Sequence, residues 1–127
     1  MTAWRDRAKK KEERRGKLLW LLAEIIDNLE LINRHNLVGG RAKVQLLTQA
    51  WETAKGDTLN LNPDITKSLR AAYADAWRFN CLVEYDLRIP PGVGTLDQAL
   101  GAHAAGVKTV LSDAHTRLAG HLGVSPN

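Results

Sequence analysis

Residues 17–37, KLLWLLAEIIDNLELINRHNL, form the longest strongly apolar stretch of the chain, and its apolar residues recur at helical spacing. Leu18, Leu22, Ile25, Leu29 and Ile32 step by four, three, four and three, the rhythm of a packing seam on one face of an α-helix. Leu19, Leu21 and Ile26 widen the stripe beyond what a single partner helix covers, which favours a bundle over a two-helix coiled coil. The opposite face carries Glu24, Asp27, Glu30 and Arg34, with Glu30 and Arg34 at i, i+4 in the favourable order. Asn36 and the pair Gly39-Gly40 end the helix, because glycine reaches the left-handed cap conformation at least cost.

This stretch is too short and too charged to span a bilayer, since Glu24 and Asp27 interrupt a run that would need about 20 apolar residues. It does not read as a secretory leader either. Asp6, Glu12 and Glu13 precede it, and no small-residue cleavage site stands ahead of Glu24. A length of 127 residues fits one domain with a core of its own. Cys81 is the single cysteine, so no internal disulfide forms, and it reads as a small core or boundary residue.

Charge is distributed unevenly. Residues 1–17 hold eight cations, Arg5, Arg7, Lys9, Lys10, Lys11, Arg14, Arg15 and Lys17, against three acids, a net of +5. The rest of the chain has ten cations against eleven acids, a net of −1. Such asymmetry points to an interaction segment attached to a nearly neutral body. Opposite charges at i, i+3 and i, i+4 within residues 1–16 support an exposed helix continuous with the apolar one. Gly16 weakens that continuity by about 1 kcal/mol.

Three further helices are expected. Residues 41–55 place Val44, Leu47, Trp51 and Ala54 on one seam, ending at Gly56-Asp57. Residues 58–62 read as a loop with Leu59 and Leu61 tucked against the body. Asn62-Pro63-Asp64 combines a good N-cap, a proline suited to the first helical position and an acid at the positive end of the dipole. The helix it opens carries Ile65, Leu69, Ala72, Ala76, Phe79 and Val83, and stops near Leu87 or Arg88, ahead of Pro90-Pro91-Gly92. Thr95 and Gln98 form a capping box for the last helix, whose seam runs through Leu96, Leu100, His103, Val107, Val110, Ala114 and Leu118. The expected fold is all-α: an antiparallel up-and-down four-helix bundle over residues 17–123, with a basic N-terminal helical arm over residues 1–16.

The motifs of metal, phosphate and nucleophile chemistry are missing from the sequence. It lacks Glu-x-x-His pairs, a P-loop, a dinucleotide fingerprint and G-x-S-x-G, so no metal, cofactor or catalytic residue is assigned and a non-enzymatic chain is expected. His103 lies on a predicted seam and reads as a neutral histidine bonded to a buried asparagine such as Asn28 or Asn80, with a small enzyme site around it as the rival reading. Of the four tryptophans, Trp51 reads as core, Trp77 as a boundary residue, and Trp4 and Trp20 flank the basic segment.

The functional expectation rests on that segment. An adaptor or scaffold would meet an anionic protein or membrane surface through Trp4, Arg5, Arg7, Lys9, Lys10, Lys11, Arg14, Arg15 and Lys17. The alternative is nucleic-acid binding, independent of sequence and steeply salt-dependent. Self-association through the exposed part of the wide stripe is also open. Glu24-Ile25, Asn28-Leu29 and Ile32, followed by Trp51 in a short second helix, resemble a pattern in uncharacterised bacterial helical domains that commonly follow a single membrane span. The resemblance implies a membrane-surface or scaffold setting, although no span is present here. A cytoplasmic protein, peripheral to the inner face of the membrane, is the corresponding expectation.

Overall fold

The computed structural model describes residues 3–37, 45–88 and 94–124. Four α-helices account for most of them: α1 (Ala3–Leu37), α2 (Gln49–Ala54), α3 (Pro63–Arg88) and α4 (Gly94–Leu122), with a 3-10 turn at Asp57–Asn60 ahead of α3. The described residues contain no strand, so the chain is all-α. At 1.5 Å per residue α1 is about 52 Å long, against about 39 Å for α3 and about 44 Å for α4.

The core is made mainly by α1, α3 and α4, with Leu46 and the α2 residues Ala50 and Ala54 closing it. Leu18, Leu21, Ile25 and Ile32 of α1 share one buried cluster with Leu69, Phe79 and Val83 of α3 and Leu100, Leu111 and Leu118 of α4, all shut away from water. Burying each side chain of this size contributes roughly 1.5–3 kcal/mol. Alanines 72, 76, 104 and 114 are fully buried as well, and their small side chains let α3 and α4 approach closely. Ser68 near the start of α3 donates to Asp113 Oδ2 near the end of α4 at 2.6 Å. Further along α3, the Asp75 carbonyl meets His103 Nε2 at 3.2 Å.

The seams are rotated slightly from those read in the sequence. On α1, Leu21 and Asn28 are fully buried, while Leu19 and Ile26 are 38% and 41% exposed. On α4, Ala104 and Leu111 are fully buried where His103 and Val110 were expected, and those two are half-buried.

The start of α3 follows its capping signal. Asn62 Oδ1 accepts the Asp64 N–H at 2.9 Å, and Pro63 is the first helical residue. Helix α4 begins at Gly94, so Thr95 lies inside the helix and not at its cap. The side chains of the expected capping box, and the turns expected at Gly39-Gly40 and Pro90-Pro91-Gly92, lie outside the described residues.

The second helix is much shorter than expected. Residues 45–48 are not helical, α2 has only six residues, and residues 41–44 lie outside the described residues. The cause is a pair of asparagines. Asn28 on α1 accepts the Leu47 N–H at 2.7 Å and donates to its carbonyl at 2.8 Å. Asn80 on α3 does the same to Leu46, at 2.7 and 2.9 Å. Backbone groups that a helix would bond along its axis are instead taken sideways, and Leu46–Leu47 is a strap held between the two helices. Leu46 is buried and Leu47 exposed, so the predicted seam through Leu47 does not exist.

Beyond the strap, Glu24 does the work of a cap. Thr48 makes no side-chain bond at the N-terminus of α2. The buried Glu24 carboxylate instead accepts the N–H groups of Ala50 and Trp51 at 2.7 and 3.3 Å, and the Tyr73 hydroxyl at 2.7 Å. Burial, then the hydrogen bond and charge of Glu24, push the Tyr73 hydroxyl far above its usual pKa. Trp51 is half-buried and stacks on Tyr73 with ring centroids 4.9 Å apart. The 58–62 segment is partly a 3-10 turn, not a loop throughout. Its Thr58 is fully buried, Leu61 packs on the core and Leu59 is exposed.

Candidate functional site

Residues 3–17 of α1 are all exposed, and they are helical without a break into the buried half. The core-facing positions of α1 are Leu18, Leu21, Ile25, Asn28 and Ile32, stepping three, four, three, four. Continued toward the N-terminus, the same steps reach Arg14, Lys11, Arg7 and Trp4. The line that buries leucine and isoleucine in the body therefore carries cations in the arm. At about 100° per residue, Asp6, Glu12 and Glu13 each lie about 80° or more from the line of Arg7, Lys11 and Arg14. The face that continues the core is thus basic, with Lys10, Arg15 and Lys17 flanking it, and the acids sit behind or beside it with Arg5 and Lys9.

The base of the arm is fastened to the body. Arg14 Nε and Lys17 Nζ lie 3.6 and 3.4 Å from the Asp57 carboxylate. Arg15 donates to the Leu122 carbonyl at 3.0 Å, at the negative end of the α4 dipole. These contacts are long or half-exposed, and each contributes no more than about 1 kcal/mol. They fix the direction in which the arm leaves the body. Between arm and body lies a crook of about 250 Å³, walled by Lys11, Arg14 and Arg15 and floored by Leu18, Leu61 and Leu122. Asp57 and His121 stand at its edge. Residues 3–10 run on for about 12 Å beyond it.

Of the residues expected to meet a partner, Lys11, Arg14, Arg15 and Lys17 are brought together at this junction. Trp4 is 68% exposed, and Arg5 lies over its ring at 5.9 Å from the centroid, a weak cation–π contact. Arg7, Lys9 and Lys10 make no ion pair among the described residues. The apolar floor was not anticipated. Leu61 and Leu122 come from distant parts of the chain, and nothing local in the sequence places them beside Leu18.

Other candidate positions resolve differently. His103 does not bond Asn28 or Asn80, whose amides are committed to the strap. It meets the Asp75 carbonyl and lies parallel to the Phe79 ring, centroids 6.4 Å apart. Trp77 and Cys81 were expected at a boundary or in the core and are both exposed, because they point away from the seam through Ala76, Phe79 and Val83. Trp20 is exposed too. Asp113 is held below the usual carboxylate range by the Ser68 hydroxyl first and by Arg117 second. Among the described residues no three His, Cys, Asp or Glu side chains group as metal ligands would. No helix among them is long and apolar enough to cross a membrane. No family model matches the chain, and no curated protein or solved structure matches it.

Proposed function

We propose that the chain is a non-enzymatic helical adaptor, in which an antiparallel up-and-down bundle over residues 17–123 presents residues 1–16 as an arm that binds an anionic partner. The observation that carries this reading is the replacement, along one unbroken helical line, of buried aliphatic residues by Arg14, Lys11 and Arg7. Seven of the arm-region cations lie in a segment that packs against no other helix over most of its length, so their charge is open to a partner. Up-and-down topology is supported by the pairings of Ser68 with Asp113 and of Asp75 with His103, in which sequence order on α3 opposes that on α4. Arg15 reaching Leu122 pairs the early part of α1 with the end of α4. Glu24 bonding Ala50, Asn28 bonding Leu47 and Lys17 meeting Asp57 run α1 against the strap and α2 in the same opposed sense.

The non-enzymatic reading is supported by the use to which the interior polar groups are put. The Glu24 carboxylate accepts three donors, both asparagines hold backbone, and His103 is taken up by a carbonyl and a ring. The test is deletion of residues 1–13, which removes five cations of the arm and leaves the Arg14, Arg15 and Lys17 contacts. The shortened chain keeps its circular dichroism spectrum and melting temperature but loses retention on immobilised heparin, a generic polyanion, at about 50 mM salt. Retention that is unchanged by the deletion, or absent from the full chain, overturns the proposal.

A further inference from the structure

We infer that the anionic partner is an acidic amphipathic peptide segment, whose acids lie along Arg7, Lys11 and Arg14 while an apolar side chain enters the crook floored by Leu18, Leu61 and Leu122. The inference rests on the arm being the binding element, and it adds the class of partner. Two features of the site lead to it.

The first is direction. The basic line faces the same side as the buried face of α1, as the contacts of Arg14 with Asp57 and of Arg15 with Leu122 show. The body therefore stands on the side toward which these cations point. A flat bilayer cannot lie along the line without meeting the end of the bundle. A narrow partner such as a helix, about 10–12 Å across, can lie along an arm that extends about 12 Å beyond the crook.

The second is composition. A partner that offered phosphates alone would find charge on the arm and leave uncovered the half-buried Leu61 and the small exposed edges of Leu18 and Leu122. The crook of about 250 Å³ has the capacity of one large apolar side chain, and its apolar lining is aliphatic: no Trp, Tyr or Phe stands there for a base to stack on, and the His121 imidazole is the one ring among its lining residues. Cations beside an apolar socket are the complement of a helix that carries acids on one edge and an apolar anchor at i, i+3 or i+4, a recurring mode of peptide recognition. The anchor gives the affinity and the acids give register and rate of encounter. Trp4, on the same line and exposed, adds a second apolar contact near the tip of the arm.

The test uses the full chain and varies the probe, so that no folding defect can intrude. Fluorescence anisotropy is measured with a Glu-rich helical peptide of about a dozen residues bearing two leucines at i, i+4. Its partners in the comparison are the same peptide with both leucines replaced by serine, a short DNA duplex, and vesicles containing phosphatidylserine. The leucine peptide is expected to bind about tenfold or more tightly than the serine peptide and than the duplex, with little binding to vesicles. Lys11→Glu is expected to weaken the leucine peptide by a further several-fold while leaving the melting temperature in place. Equal affinity for the leucine and serine peptides, or preference for duplex or vesicles, overturns this inference and leaves the anionic-partner reading standing. Failure of every probe at low salt removes both.

Discussion

Leu18, Leu21, Ile25 and Ile32 occupy one line of α1, and Trp4, Arg7, Lys11 and Arg14 occupy its continuation, yet the first set is buried and the second exposed. Backbone geometry is common to both halves. What differs is the free energy of what the line carries. Aliphatic side chains gain by leaving water, and so they collect α3 and α4 around them. Cations lose heavily on burial unless paired, and so they hold that part of the helix clear of the body. One periodicity thus builds a core in one half and an exposed basic face in the other. The changeover lies between Arg14 and Leu18, where Lys17, Arg14 and Asp57 join the two environments.

The contrast is sharpest when a single residue is altered in each half. Asn28 is fully buried and holds both polar backbone groups of Leu47. Asn28→Ala leaves those groups and part of the strap without partners, at a cost of about 2–3 kcal/mol. The expected fall in melting temperature is about 6–15 °C. Arg7→Ala on the arm is expected to shift stability by less than about 0.5 kcal/mol. Thermal melts followed by circular dichroism check both. Comparable losses from the two substitutions would mean that the arm is part of the cooperative core.

The Asn28 position also shows where sequence reading reached its limit. Periodicity located α1, α3 and α4 because their burial follows from spacing within each helix, and the Asn62-Pro63-Asp64 signal located the start of α3. The excess of cations in residues 1–17 was equally legible, since composition reveals charge directly. The strap was not. Residues 45–48 carry a helix-like apolar rhythm, and their non-helical form goes with amides 19 and 34 residues away in sequence. The apolar floor of the crook was hidden for the same reason, since Leu61 and Leu122 meet Leu18 only after the helices have packed. Glu24 looked like a solvent-facing acid of an amphipathic helix, and it is buried because α2 needs a cap that Thr48 does not supply.

Gly16 lies within the changeover and tests how far the arm behaves as a helix in its own right. A Cβ built there meets nothing within 4 Å, so no close approach in the folded chain requires glycine. Gly16→Ala is expected to raise helical content at 222 nm and to stabilise the chain by up to about 1 kcal/mol, a few degrees in melting temperature. Loss of helicity or a lowered melting temperature would show that the two halves need a flexible joint. The substitution is also informative for binding. If the arm must bend toward the crook to grip a peptide, the alanine variant gains stability and loses affinity, whereas a preformed arm gains or keeps both.

The smallest effect concerns the polar contact that ties α3 to α4, and its sign follows from the position of the Asp113 pKa. The Ser68 hydroxyl, and then Arg117, favour the charged carboxylate, so the folded-state pKa lies below the unfolded value of about 3.9. A group depressed in this way stabilises the fold in full above its unfolded pKa, and the contribution is lost as pH falls through the folded value. Asp113 is half-exposed, so solvent screening keeps the contribution well under about 1 kcal/mol. Ser68→Ala removes the largest cause of the shift. Its melting temperature is expected to fall slightly below that of the parent chain at neutral pH, and the gap is expected to narrow as pH drops below about 4. A gap that stays constant across that range would mean that Ser68, buried at 8% exposure, acts through packing and not through the carboxylate. The arm gives the control for this experiment. Replacing the exposed Glu12 or Glu13 by glutamine should change stability at neutral pH by less than about 0.5 kcal/mol, as read from the melting temperature.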